Sequence, residues 1–244
     1  MWTYKLIINN FNQNDELNKL IKKLENIEDF GISIVPEKDR QIITFSAKDV
    51  HKVKESVLTN IAYYIIKEHK FNFFYNQIKK QNLPDIHIKS LSKALTLFDI
   101  ESDIYLTLNL LPPTGTVVVD SFYMFKMGKL RDKWQEFINV TNLNSPIMLN
   151  QEIYIEFLKF LYSAIPCQYE EVNVLIDESN KFSLTDKNNN VLMPEVCLDD
   201  ELSLVTNLIF LAPKTINLHC INCISNKTFK TLYYIFNKKI NFMV

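Results

Sequence analysis

The alternation of apolar and polar residues from Thr3 to Asn9 predicts a strand at the start of the chain. Asn14 or Asp15 can cap the helix that follows, in which Leu17, Leu20, Ile21 and Leu24 fall at i, i+3, i+4 and i+7 on one face. Gly31 reads as the stop of that helix. Two short strands come next, Ile32–Val35 and Gln41–Ser46, joined by the polar proline turn PEKDR as a hairpin. The resulting β-α-β-β unit is too small to bury its own sheet and needs a cover.

That cover begins at Asp49, a good N-cap. Val50, Val53, Val57, Ile61, Tyr64, Ile65 and Phe71 or Phe73 make a long apolar stripe, with Lys52, Lys54, Glu55, Lys67 and Glu68 mostly off it. Pro84 ends this segment and Asp85 restarts one, with Leu91, Ala94, Leu95 and Phe98 continuing a helix to the acidic link DIESD. Ile104–Leu111 reads as a further short helix, terminated by Pro112 and Pro113. Val117–Pro166 holds a basic, aromatic-rich helix, a break at Pro146 and a second helix ending in proline.

Beyond it the period returns to two. Glu171–Ile176 and Lys181–Leu184 alternate as strands, and DKNNN forms a turn before Val191–Met193. Asp199 or Asp200 caps a helix through Leu211, Thr215–His219 is a strand, Ser225 caps another helix through Phe236, and Lys239–Met243 is a last strand. The pattern predicts an α+β fold: a β-α-β-β unit over residues 1–48, a helical region over 49–166, and a β-β-α-β-α-β unit over 167–244. With no low-complexity linker between them, the three are expected to pack as one interdependent fold.

Composition narrows the chemistry. The 244 residues are 47% apolar and 23% charged, which suits a folded domain, and the net charge of −1 supplies no global field for nucleic acid or anionic membrane. The best apolar stretch, Leu202–Ala212, is interrupted by Ser203, Thr206 and Asn207, so no bilayer span is expected. The N-terminus lacks the pattern of a signal peptide. A soluble, cytoplasmic protein with reduced thiols is expected from this and from its four cysteines. Its three glycines, Gly31, Gly115 and Gly128, stand apart, so neither a Walker A loop nor a dinucleotide fingerprint can be written. A GxSxG nucleophile elbow is absent too.

Three constellations remain. His219, Cys220 and Cys223 place two thiols and an imidazole at zinc-ligand spacing, although a complete site would need a further ligand such as Cys197 or Cys167. Small buried thiols at a strand end are the plainer reading, and a metal-binding hydrolase is the least favoured function. Acidic groups at Asp99, Glu101 and Asp103, at Glu170 and Glu171, and at Asp199, Asp200 and Glu201 are read as helix-capping or solvated carboxylates. His51, His69 and His87 are read as surface residues. Finally, KEHKFNFFYNQIKK (Lys67–Lys80) and FYMFKMGKLRDKW (Phe122–Trp134) interleave bases with aromatics, as a single-strand nucleic-acid surface would. A groove for a protein partner is the preferred reading, and its candidate contacts are Phe122, Phe125, Lys126, Lys129 and Arg131.

Four stretches carry a family resemblance. SFYMFKM (Ser121–Met127), EIYIEFLKFLYSAIP (Glu152–Pro166), VNVLIDESNKFSLTDKNNN (Val172–Asn190) and LSLVTNLIFLAPKTINLH (Leu202–His219) resemble consecutive elements of the YtxC-like sporulation proteins of endospore-forming bacteria. The most specific part is Ala212–His219. Ser121 stands where that family tends to have Gly, Lys126 where it tends to have Arg, and DKNNN lacks the usual glycine. Cys220 and Cys223 lie outside the family pattern. The resemblance implies an intracellular, sporulation-linked role. It carries over no catalytic residue and no cofactor, so a non-enzymatic partner-binding protein is expected, with no membrane association.

Overall fold

The computed structural model describes residues 2–9, 15–25, 27, 30–48, 50–80, 85–141, 151–177, 181–197, 201–219 and 224–243. In chain order the elements are β1 (Trp2–Asn9), α1 (Asp15–Glu25), β2 (Phe30–Glu37), β3 (Arg40–Ala47), α2 (Val50–Ile78), α3 (Asp85–Leu97), α4 (Ile100–Leu110), β4 (Gly115–Val118), α5 (Val119–Lys126), α6 (Gly128–Thr141), α7 (Gln151–Ala164), β5 (Tyr169–Ile176), β6 (Lys181–Asp186), β7 (Val191–Cys197), α8 (Glu201–Leu211), β8 (Pro213–His219), α9 (Asn226–Phe236) and β9 (Ile240–Met243). The fold is α+β, as the periodicities predict. The chain forms two compact units: Met1–Phe73 with Ile100–Thr141, and Phe74–Asp99 with Asn142–Val244.

The first unit is built on a four-stranded sheet in the order β2-β3-β1-β4. Strict alternation sends Trp2, Tyr4, Leu6 and Ile8 of β1, and Ile43, Phe45 and Ala47 of β3, into the core, while Thr3 and Lys5 face solvent. The apolar stripes foreseen for the helices are buried too: Leu17, Leu20, Ile21 and Leu24 of α1, and Val53, Val57, Ile61 and Ile65 of α2.

Three expectations change here. Gly31 lies inside β2, where an added Cβ would come within 2.8 Å of Ser46 Oγ, so its smallness serves strand pairing. The acidic link opens α4 instead of preceding it, with Glu101 and Asp103 in the first turn. β4 was not foreseen: four residues form a strand only because β1 pairs parallel with them, Tyr4 with Gly115 through Ile7 with Val118.

The second unit is built on a five-stranded sheet, β7-β6-β5-β8-β9. Three strands precede α8, where two were expected, because Val191–Cys197 pairs antiparallel with β6. Val172, Val174, Ile176, Phe182, Leu184, Ile216 and Leu218 fill one face. The other carries a side-chain ladder across three parallel strands, Asn241 donating to Asn217 (3.1 Å) and Asn217 to Asn173 (3.0 Å). Helix α8 is buried almost all round. Its Thr206 and Asn207 satisfy their polar atoms on carbonyls one turn back, as do Ser92 and Thr96 of α3.

The Ala212–His219 stretch turns α8 into β8. Ala212 adopts φ 43°, a conformation worth about 1–2 kcal/mol of strain for a residue with a Cβ. Its carbonyl accepts the Gln168 amide and its own N–H reaches back to Leu208, so both backbone groups are satisfied at the corner. Tyr162 then fixes the next residue by donating to the Pro213 carbonyl at 2.7 Å in a buried setting. Tyr162→Phe is expected to lower stability by about 1–2 kcal/mol, read as a shift of the urea midpoint.

Candidate functional site: a basic–aromatic corner on a buried ion cluster

The corner between α5 and α6 rests on a charge that water does not reach. Asp103 is fully buried in α4, where the sequence suggested a solvated or capping carboxylate. Its Oδ2 accepts from Lys70 Nζ at 2.6 Å and from the Trp134 indole N–H at 3.0 Å, and its Oδ1 accepts from Lys133 Nζ at 2.6 Å. Lys70 is itself buried, whereas Lys133 is about one-third exposed and also reaches Ser102 Oγ at 3.2 Å. One carboxylate thus ties together α2, α4 and α6 through charge-assisted bonds, which are shorter and stronger than neutral ones.

An aromatic layer lies beside this cluster. His69 is buried and stacks flat on Tyr123, ring centroids 4.1 Å apart, which removes it from the surface where the sequence reading put it. Tyr123 in turn stacks near Trp134, and the Arg131 guanidinium lies 5.4 Å from the Tyr123 ring centroid. Burial pushes the His69 imidazole down to about 4, against the opposing pull of Asp120, so the ring is neutral at physiological pH. The Tyr123 hydroxyl is shifted up, chiefly by burial and against the pull of Arg131. Asp120 is held by Asn9 Nδ2 at 2.9 Å, which links the start of α5 to the end of β1.

Arg131 also donates from Nη2 to the Met124 carbonyl at 2.8 Å, closing the α5–α6 turn. The result is a fixed corner whose outer side is apolar and basic. Phe125 is 84% exposed and Met124 54%, with Lys126 and Lys129 exposed beside them in sequence.

The candidate residues therefore separate. Phe122 turns inward and is 7% exposed, so it belongs to the core of its unit. Phe125, Lys126 and Lys129 face outward, and Arg131 is half-buried and committed to Met124 and Tyr123. In the Lys67–Lys80 run, His69, Lys70 and Phe74 are buried, so that run presents no continuous basic–aromatic surface. His219 ends β8 half-exposed, while Cys220 and Cys223 lie outside the described residues. Among the described residues no group of three or more His, Cys, Asp or Glu side chains is placed to hold a metal ion. No helix among them is long and apolar enough to cross a membrane.

Asp103, Lys70 and His69 build the support of the corner from inside the core, in place of the capping, basic-surface and surface roles expected of them. The signal was present in their spacing. Lys70 continues the buried row Ala62–Ile66 and is followed by Phe74, each four residues apart, and Asp103 sits in the row Ile100–Asp103–Thr107. A charge inside an apolar row has to be paired within the core.

These features define a two-unit α+β protein whose exposed corner is fixed by a buried carboxylate. The family model described as the YtxC-like family matches residues 76–241, more than half of the chain, and the chain belongs to that family. No curated protein and no solved structure matches it significantly.

Proposed function

We propose that this protein is a non-enzymatic, cytoplasmic member of the YtxC-like family that acts in sporulation by binding a protein partner at the α5–α6 corner. The observation that carries the reading is Phe125: a large ring, 84% exposed, on a corner that Arg131 and the Asp103 cluster hold in place. Large exposed rings on rigid supports are what binding hot spots are made of, because little side-chain freedom is lost when they are covered. The sporulation link rests on the resemblance of the four stretches beginning at Ser121.

The test is a replacement of the chromosomal gene by a Phe125→Asp allele in an endospore-forming host that carries it. A stoichiometric partner is expected to co-purify from sporulating cells with the wild type and at least ~10-fold less with the variant, alongside a drop in spore yield. Normal spores formed on schedule, with an unchanged set of co-purifying proteins, would sink the proposal.

A second reading, single-stranded nucleic-acid binding, draws on the exposed Lys126 and Lys129 that follow Phe125. It expects salt-sensitive binding of oligonucleotides that weakens in Lys126→Ala and Lys129→Ala. The inward turn of Phe122 and the pairing of Lys70 with Asp103 leave it fewer groups than the sequence offered.

A further inference from the structure

We propose that β2 is an association edge: two copies of this chain join there antiparallel and extend the four-stranded sheet of each into one continuous sheet. Among the described residues, β2 is the terminal strand of its sheet and pairs with β3 on one side only. It is eight residues long, and its register runs unbroken from Phe30 opposite Ala47 to Glu37 opposite Arg40. Open edges are commonly blunted by charged side chains, proline, bulges or shortness, and β2 has such devices only at its turn end, in Pro36 and Glu37. The stretch Phe30–Val35 carries no charge and no bulge, and β4, the opposite edge of the sheet, is only four residues long.

Pro36 sets the phase of the edge. A proline has no N–H to give to the ladder, so in an edge strand its nitrogen takes a position facing away from the partner strand. Residues two and four positions earlier share that phase, so the N–H and C=O groups of Ile34 and Ile32 point outward from the sheet. They are the groups that a further strand would use.

The side chains ask for the same addition. Across the core face, Leu6, Ile43 and Ile34 share one row, with Val117 beyond Leu6; the inner three are buried and Ile34 is 40% exposed. Across the outer face, Val118, Ile7, Ile42 and Val35 form an adjacent row that ends at Val35, 48% exposed. Two apolar rows on opposite faces run out at the same edge. Only something placed beside β2, in the plane of the sheet, covers both.

A second copy fits that place because the strand complements itself. Antiparallel pairing centred on Ser33 sets Ile32 opposite Ile34 of the second copy, and Ile34 opposite its Ile32. All four isoleucines lie on the core face, and their outward N–H and C=O groups bond in two reciprocal pairs. On the outer face Val35 meets Gly31 of the second copy, where the missing side chain leaves room, and the two Ser33 residues meet at the two-fold axis. Pro36 falls opposite Phe30 at each end of the ladder, where its carbonyl accepts the Phe30 N–H while the Phe30 carbonyl is left to water. Pairing shifted by a single residue would oppose core-face to outer-face positions and lose these matches.

Ser33→Cys tests the axis directly. Opposed residues of an antiparallel pair have Cβ atoms roughly 4.5–5.5 Å apart, close to disulfide reach. Under mild oxidation the full-length Ser33→Cys variant is expected to form a covalent dimer, its two introduced thiols joined to each other across the axis, as read by mass spectrometry. The wild type supplies the baseline for the exposed thiol of Cys167, and Thr3→Cys, on an exposed position of β1, is expected to give no such link. Sedimentation equilibrium of the wild type is expected to show twice the 28.7 kDa chain mass at about 100 μM, with Ile34→Lys weakening association by about tenfold or more. A monomer at that concentration, together with no disulfide between the introduced thiols, would overturn the proposal. So would a dimer that Ile34→Lys leaves intact, or one held by an extended segment other than β2. If Ile34→Lys loses its circular dichroism signal, the Ser33→Cys result decides alone.

Discussion

Asp103→Ala is expected to lower stability by about 3–5 kcal/mol, because it strands the buried ammonium of Lys70 without a counter-charge. The same change removes the acceptor of the Trp134 indole N–H and one anchor of Lys133. Lys133→Ala should have a clearly smaller effect, since its ammonium is partly solvated and Lys70 still neutralises the carboxylate. The double replacement of Asp103 by Leu and Lys70 by Met is expected to recover most of the loss, because an apolar pair of similar volume avoids the desolvation that a buried ion pair must offset. The readout is selective. The only two tryptophans, Trp2 and Trp134, both belong to the first unit, so the urea dependence of tryptophan fluorescence reports on that unit. Equal stabilities of the wild type and Asp103→Ala would show that the cluster does not anchor the corner.

Acid should reach the same region through His69. The buried imidazole is held down at about 4, whereas in the unfolded chain it titrates near its ordinary 6.5. The unfolded state therefore binds the proton first. The stability tied to keeping this ring neutral is complete above about pH 6.5 and is lost progressively as the pH falls to about 4, where the loss levels off. It amounts to roughly 3 kcal/mol at about 1.4 kcal/mol per pH unit. His69→Phe keeps a flat ring against Tyr123 and removes the titration. The gap between wild type and variant, followed by urea unfolding from pH 7 to pH 4, is expected to close or reverse on the acid side. Parallel curves would mean that the imidazole is not protected from water as the fold implies.

Both results also bear on the corner, since Asp103 and His69 lie under the helices that present Phe125. A variant that loosens this support while leaving Phe125 in place should weaken capture of a partner, in parallel with its loss of stability. Phe125→Asp should remove capture with stability nearly unchanged, because its side chain is already in water.

The elements were readable because each announces itself locally. Period-two alternation in Thr3–Asn9 and Glu171–Ile176, and i, i+3, i+4 spacing in α1 and α2, reflect which face each segment must bury. Ser225 could be named as a cap because its hydroxyl serves an amide three residues away, the Thr228 N–H. The α+β class and the YtxC-like resemblance were likewise available from contiguous stretches.

What the sequence could not supply depends on residues far apart in the chain. The strand at Gly115–Val118 exists through β1, more than a hundred positions earlier, and four residues carry too little pattern to declare it. The surface or core fate of Phe122 and Phe125 turns on the rotation of one short helix against its neighbours. Asp103 looked like a helix-start carboxylate, and locally it is one; its burial is decided by Lys70, Lys133 and Trp134 arriving from two other helices. A chain by itself states which residues prefer water. Whether a charge can leave water depends on a partner being there to meet it, and that is settled only when the helices pack.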